Sequence, residues 1–365
     1  MALVDTFNSL TRDIYEPDFA DNIFVKSAFW SEAYQHARPV KGGKQLVMPI
    51  KTGKLGGGTY RAADDTLDLT TGDIASEVRF DWRNYYVPVQ LVAQVVDLNA
   101  SAGSDQIVNL LDNYIWSAGE TMRDSLLGTH IFGTAEDDAN NERIDGLYDL
   151  MQEENTANGF GGYNAGNHYG EISVADLSTW KAHIDRCTGS SGAWVPNSCT
   201  VEVCREMINE IVHGPNGCNE LPHIAVTTPE VYQKLSREIY EKGLSQPVIT
   251  RTGERLVKAG FQAFEIDNVA FIADEHAPDS AWDATVVCTN GYENVTGDHI
   301  FFLNWDYFFP FYLPKWNMQF DEWLKAPATT HRYTNRLFWW GNFACTQRRA
   351  QGAIYNIDVS VLFDS

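Results

Sequence analysis

The sequence predicts an α+β protein organised around an extended hairpin loop and one long helix. Three observations carry the prediction. An extended stretch at 45–52 runs into a polar, Gly-rich segment at 53–76 and leaves through a longer extended stretch at 77–99. An amphipathic helix follows, from near Ser101–Ser104 to Gly128. Beyond residue 173 helical and extended segments alternate to about residue 300, as in a compact α/β domain.

Residues 1–44 read as an N-terminal arm of short amphipathic pieces, closing at Pro39 and Gly42–Gly43. MALVDTFNSL has no basic region ahead of an apolar core, so no secretory signal is expected. In the second extended stretch Val78, Phe80 and Trp82 share one parity, and Val87, Val89, Leu91, Ala93 and Val95 share the other. That switch predicts a bulge near Asn84–Tyr85. Pro88 predicts an edge position or a bulge, because proline cannot donate to a ladder. A connecting loop longer than ~12–15 residues is unusual inside a compact domain. With Gly53, Gly56, Gly57, Gly58 and Gly72 in it, the segment suits an arm that is ordered by packing on a neighbouring subunit.

Helical spacing places Ile107, Leu110, Leu111, Tyr114, Ile115, Ala118, Met122 and Leu126 on one face. Ser104 is the expected N-cap, Asp105 suits the positive end of the dipole, and Gly128 is the stop. Further on, IDGLYDLM at 144–151 is apolar, and 155–170 is a Gly/Asn-rich loop. Ser173 with Asp176 predicts a helix whose face is Leu177, Trp180 and Ile184. Val201, Cys204, Ile208 and Ile211 predict a second, ending at Gly214. His223–Thr227 reads as a buried strand. Thr228-Pro229-Glu230 then opens a helix carrying Val231, Leu235 and Ile239 to Gly243. Two strands turn at Asp267–Asn268 within 261–273, and 299–304 and 351–357 are further strands.

Composition narrows the function. Lys plus Arg number 27 against 49 Asp plus Glu, a formal net charge of −22. Broad nucleic-acid binding is disfavoured, because the phosphate interaction would be repulsive. No apolar run reaches the ~20 residues that cross a bilayer. The six cysteines, at 187, 199, 204, 218, 288 and 345, are too sparse for a disulfide framework and read as reduced structural thiols. Aromatic side chains crowd towards the C-terminus, from Phe308 to Phe343, and predict a layered core or an intersubunit seam.

The search for chemistry finds none. Gly43-Lys44 and Gly53-Lys54 lack phosphate-loop spacing, the glycines at 56–58 open no helix, and Gly189-Ser190-Ser191-Gly192 is not a nucleophile elbow. Asp274-Glu275-His276 has no second ligand cluster and reads as an exposed polar turn rather than a metal site. Adjacent Asp321 and Glu322 point apart and cannot share a glycosidic bond. No catalytic, cofactor-binding or metal-ligating residue is assigned; the chain is expected to be a structural protein, not an enzyme.

The order of elements resembles the major capsid proteins of tailed bacteriophages. Family-like segments are IDGLYDLM at 144–151, YGEISVADLSTWKAHID at 169–185 and NRLFWWGNFACTQRRAQGAIYNID at 335–358. The resemblance implies an N-arm at 1–44, an extended loop and base at 45–99, and a peripheral domain with a spine helix at 100–171. It further implies an axial domain at 172–310 and a return to the peripheral domain at 311–365. It implies hexamers and pentamers that close into an icosahedral virion shell around double-stranded DNA, assembled in the host cytoplasm. Scaffolding, portal and decoration proteins would be the partners, the DNA would be contacted weakly, and there would be no membrane. The arm is short for this family, so a separate scaffold or none is expected. Lys51 and Lys54 lie where some relatives carry a crosslinking lysine, but no partner asparagine or catalytic acid can be matched. The alternatives are an encapsulin-like nanocompartment shell and, from another class, a Trp-rich carbohydrate-active enzyme.

Overall fold

The computed structural model describes residues 27–53, 74–92, 110–126, 132, 143–151, 169–172, 177, 179–186, 199–242, 251–258, 260–277, 298–321, 324–325 and 332–357. Its strands are β1 (Arg38–Pro39), β2 (Gln45–Lys51), β3 (Ala75–Asp81), β4 (Arg83–Val92), β5 (His183–Arg186), β6 (Ile224–Thr227), β7 (Ala263–Ile266), β8 (Val269–Ala273), β9 (Asp298–Leu303), β10 (Phe308–Phe320), β11 (Leu324–Lys325), β12 (Arg332–Cys345) and β13 (Gly352–Ile357). They form a six-stranded sheet in the order β5-β13-β9-β6-β8-β7, a five-stranded sheet through β10 and β12, and the two-stranded hairpin β2-β3.

Contacts divide the chain into two units, one of residues 1–25, 85–124 and 318–339 and the other of 26–84, 125–317 and 340–365. The six-stranded sheet belongs to the second. Its central strands β6 and β9 are buried at every position, as in a sheet covered on both faces. One face carries the helices Val201–His213 and Pro229–Glu241. Cys204, Ile208, Ile211, Val231, Leu235 and Ile239 pack there with Ala225, Phe271, Ile300, Phe302 and Ile354. The opposite face is aromatic: Phe301 meets Phe132 (6.1 Å) and Tyr148 (6.0 Å), and Phe29 bridges Phe132 and Trp305. Alternation along β9 sends Ile300 and Phe302 one way and Phe301 the other.

Local rules account for these helices. Thr200 and Thr228 cap the two by accepting from the backbone N–H three residues on. The Thr228 hydroxyl also donates to buried Asp298 (2.7 Å), and Glu238 accepts from the Val201 N–H (3.0 Å), so one helix caps the next. Asp267 and Asn268 both take positive φ (48° and 67°), the tight turn expected between β7 and β8.

Several expectations are corrected. Leu177, Trp180 and Ile184 do not share a helix face. Trp180 closes a turn on Leu177 (N···O 2.8 Å), and Ile184 lies in β5, paired in parallel with Ala353. Pairing with a strand far along the chain overrode the local period. Within the segment after residue 310, β13 lies between β5 and β9 in the six-stranded sheet. The face switch falls at Trp82, between β3 and β4, rather than at Asn84–Tyr85. Asp274 is no exposed turn: it is 3% exposed, and its carboxylate accepts from the Phe29 N–H (3.3 Å), the His276 N–H (3.0 Å) and the Ser27 hydroxyl. The helix Arg251–Lys258 and the long strands β10 and β12 were not anticipated.

The long helix, in the first unit up to residue 124, is described from Leu110 to Ser125; Ser104, Asp105, Ile107 and Gly128 lie outside the described residues. Ala118 and Met122 are buried, as the spacing predicts. Tyr114, expected on that face, is 45% exposed. Among the described residues β4 pairs with β12 alone, an edge position that accommodates Pro88.

Candidate functional site at the hairpin root

The hairpin β2-β3 is antiparallel, from Gln45 opposite Asp81 to Lys51 opposite Ala75. One further bond, Thr52 N–H to the Ile74 carbonyl (3.0 Å), carries the pairing to the edge of the loop, whose residues 54–73 lie outside the described set. Alternation gives the ribbon two faces. Ile50, Val78 and Phe80 are buried. Val47, Pro49, Lys51, Glu77 and Arg79 are exposed, Val47 at 45%. A lone two-stranded ribbon is marginal in water and depends on what it packs against.

Its inner face rests on the turn Tyr169–Glu171. Phe80 meets the Tyr169 ring edge-on at 5.2 Å. Gly170 takes φ +66°, and a Cβ there would lie 3.3 Å from Val78 Cβ and Cγ1 and 3.4 Å from Phe80 Cζ. Glycine is required both for the left-handed backbone and for this approach. Tyr169 stacks on Trp180, whose indole N–H donates to the Tyr169 carbonyl (3.0 Å). Buried Arg348 covers both rings, with its guanidinium carbon 5.2 Å from the Tyr169 centroid and 6.0 Å from that of Trp180. Its Nε donates to the Leu150 carbonyl (2.9 Å) and its Nη1 to that of Trp180 (3.1 Å). Charge-assisted bonds and aromatic faces compensate its desolvation. Burial holds the Tyr169 hydroxyl well above its ordinary pKa, so it stays neutral.

A polar latch holds the foot of the hairpin. The Asn342 amide donates to the Asp81 carbonyl (3.0 Å) and to Asp145 Oδ2 (2.7 Å), and its oxygen accepts from the Asp145 N–H (2.8 Å). Arg83 Nη2 lies 3.6 Å from Asp145 Oδ1. Burial raises the Asp145 pKa, against the lowering effects of Arg83 and Asn342. The segment 144–151 is thereby the hairpin's foundation.

Beside the root lies a concavity of about 600 Å³, walled by residues 49–53, Leu177, Thr179, Trp180, Tyr307 and residues 346–349. Its rim carries Lys51 and Arg349. Turned so that its oxygen faces the guanidinium, the Gln347 amide accepts from Arg349 Nε (2.8 Å). The Tyr307 hydroxyl donates to Glu220 (2.9 Å), and burial together with that bond pushes its pKa up to about 12.

The residues weighed for chemistry stay apart. Asp274 pairs with His276 (3.1 Å) and accepts from the Phe29 N–H in the helix Ala28–Gln35 (3.3 Å). Among the described residues no group of three or more His, Cys, Asp and Glu could hold a metal. Asp321 ends β10 with its N–H on the Arg336 carbonyl (3.1 Å); Glu322, Lys54, Cys187, Cys288 and the Gly189–Gly192 segment lie outside the described residues. Cys199, Cys204 and Cys345 are buried free thiols. Among the described residues no helix is long and apolar enough to cross a membrane. Sequence reasoning missed Arg348, Asn342 and Gly170. Only Gly170, the last residue of the Gly/Asn-rich stretch at 155–170, left a local signal.

No protein-family model matches the sequence, and no curated protein does. Solved structures do match over nearly the whole chain. The capsid asymmetric unit of cyanophage A-1(L) superposes with a TM-score of 0.67 at 12% identity, covering 96% of this chain and 98% of that one. The capsid of a native gene transfer agent (GTA) particle gives 0.58 at 11%, covering 98% and 99%. The SrpI encapsulin of Synechococcus elongatus PCC 7942 gives 0.56 at 9%, covering 98% and 96%. The chain therefore has the fold of tailed-phage capsid proteins.

Proposed function

We propose that this chain is a tailed-phage major capsid protein that assembles as hexamers and pentamers into an icosahedral shell around double-stranded DNA. The observation that carries the reading is the end-to-end likeness to capsid chains, covering 96–98% of this chain in the structures above. The hairpin adds physical support. Its inner face is satisfied within its own chain, while the outer face leaves Val47 exposed on a ribbon that is marginal alone. Packing that face on a neighbour would compensate the ordering cost of the arm, so the arm would become fixed as the shell forms.

On this reading 172–310 with β13 serves as the axial domain, and the helix at 110–125 as the spine. Each subunit contact would bury about 800 Å² or more per partner. With a net charge of −22 the shell would repel its contents rather than grip them. The same reading places the protein in the virion, formed in the host cytoplasm, as a structural rather than a catalytic component. Negative-stain electron microscopy of the protein, alone and with its neighbouring genes, tests it. Closed shells or hexamer sheets are the expected result; a monodisperse monomer in both preparations overturns it.

The encapsulin likeness favours a second reading, a shell that encloses an enzyme cargo. The contents of purified particles separate the two: nuclease-protected DNA for the first, a co-purifying protein for the second.

A further inference from the structure

The concavity beside the hairpin root has the wrong charge for its chain. In a protein with 49 carboxylates against 27 cations, its rim presents Lys51 and Arg349. Neither forms an ion pair with a carboxylate among the described residues, and Arg349 is held by the neutral Gln347 amide. That contact orients the guanidinium without neutralising it. Several exposed cations are neutralised locally, Arg79 by Glu77 and Glu171, Arg237 by Glu241 and Lys242 by Glu238, whereas these two share one concavity. The rest of the lining is mixed: Thr179 and Thr346 are polar, Leu177 is apolar and half-buried, and Trp180 and Arg348 are buried. About 600 Å³ holds a few side chains, not a tracked polymer.

From these features we infer that the concavity receives a carboxylate-bearing segment of a second copy of this chain, an Asp or Glu pairing with Lys51 and Arg349 while an apolar neighbour covers Leu177. The inference rests on the shell reading, which supplies a second copy in contact. Charge complementarity selects the occupant. Every copy offers an excess of acids, and cations left without a carboxylate attract them over any neutral partner. Nucleic acid fits less well, because a duplex brought to two cations would also face the repulsion of a −22 chain. Arg349 supplies the planar fork that grips a carboxylate, and Lys51, at the end of β2, would couple the grip to the position of the hairpin.

The test uses wild-type protein. Unlabelled and 15N-labelled chains are mixed before assembly. Shells are then treated with a zero-length carbodiimide, which joins a lysine amine to a carboxylate as an amide with loss of water. The expected product is a mixed-isotope peptide pair that joins Lys51 to an Asp or Glu of another copy. In support, Lys51→Glu with Arg349→Glu should raise the concentration needed for shell formation roughly tenfold and leave the thermal midpoint of the unassembled chain unchanged. Shells that form while Lys51 couples only within its own chain, or not at all, overturn the inference and leave the shell reading standing. Protection of Lys51 from acetylation in DNA-filled shells but not in empty ones assigns the site to phosphate and overturns it as well. Failure to form any shell overturns both.

Discussion

Replacing Gly170 by alanine should loosen the hairpin without unfolding the chain. Two costs arise at this residue. A non-glycine residue at φ +66° pays about 1–2 kcal/mol for the left-handed backbone. The new Cβ then meets Val78 Cβ and Cγ1 at 3.3 Å and Phe80 Cζ at 3.4 Å. Val78 and Phe80 are fully buried and cannot swing away, so overpacking adds roughly 1–2 kcal/mol. Alanine returns up to about 1 kcal/mol by restricting the unfolded chain. The balance is a loss of about 2 kcal/mol. It falls on the contact that seats the inner face of β2-β3 and not on the six-stranded sheet. Native-state hydrogen exchange can read this locally. Amides of 46–50 and 76–80 should lose protection by roughly 30-fold, while those of 224–227 and 300–303 keep theirs. Val78→Ala made in the alanine background should cost less than in the wild type, because it removes one of the atoms in conflict. Unchanged exchange in the hairpin, or equal loss in hairpin and sheet, would refute the reasoning that Gly170 is the seat.

Arg348→Met removes the donors to the Leu150 and Trp180 carbonyls but keeps an apolar stem against Tyr169 and Trp180. Two buried acceptors left bare should cost about 2–5 kcal/mol, measured as a lower calorimetric midpoint. Burial pushes the Cys345 thiol up to about 12 and also raises that of half-buried Cys218. An alkylating reagent at pH 8 should therefore modify Cys218 first among the four described thiols, and Cys345 only on unfolding; peptide mass spectrometry checks the order. Asp145 and Glu32 both have carboxyl pKa values raised in the fold, each chiefly by burial. The folded state thus binds more protons than the unfolded chain. Their contribution is fully present below the model-peptide range near pH 4 and is lost as pH rises through the folded values. Asp145→Asn should flatten this part of the stability–pH profile, as seen by denaturation midpoints between pH 4 and 7.

Most of the second unit's helical scaffold was legible in the sequence because its signals are short-range. Thr200 and Thr228 with Pro229 mark helix starts by local hydrogen-bonding chemistry, and Asp267-Asn268 marks a turn by its tolerance of positive φ. The hairpin strands were legible through period-two alternation at Val78 and Phe80, and Pro88 announced an edge. The misreadings have one origin. Leu177, Trp180 and Ile184 carry a helical period, yet Ile184 pairs with Ala353, a partner that no window of neighbouring residues contains. Asp274 looked like part of a polar turn because the groups it satisfies at Ser27 and Phe29 are 247 and 245 residues away. The same distance hid Arg348 and Asn342, whose targets lie at residues 81, 145, 150 and 180. By itself, then, the sequence determined the helices at 201–213 and 229–241, the turn at Asp267–Asn268 and the paired hairpin strands, since capping and alternation act over a few residues. Only the tertiary structure decided what the arm stands on and which cations remain without a carboxylate at its root. Burial and pairing of charge depend on groups that the fold alone brings together.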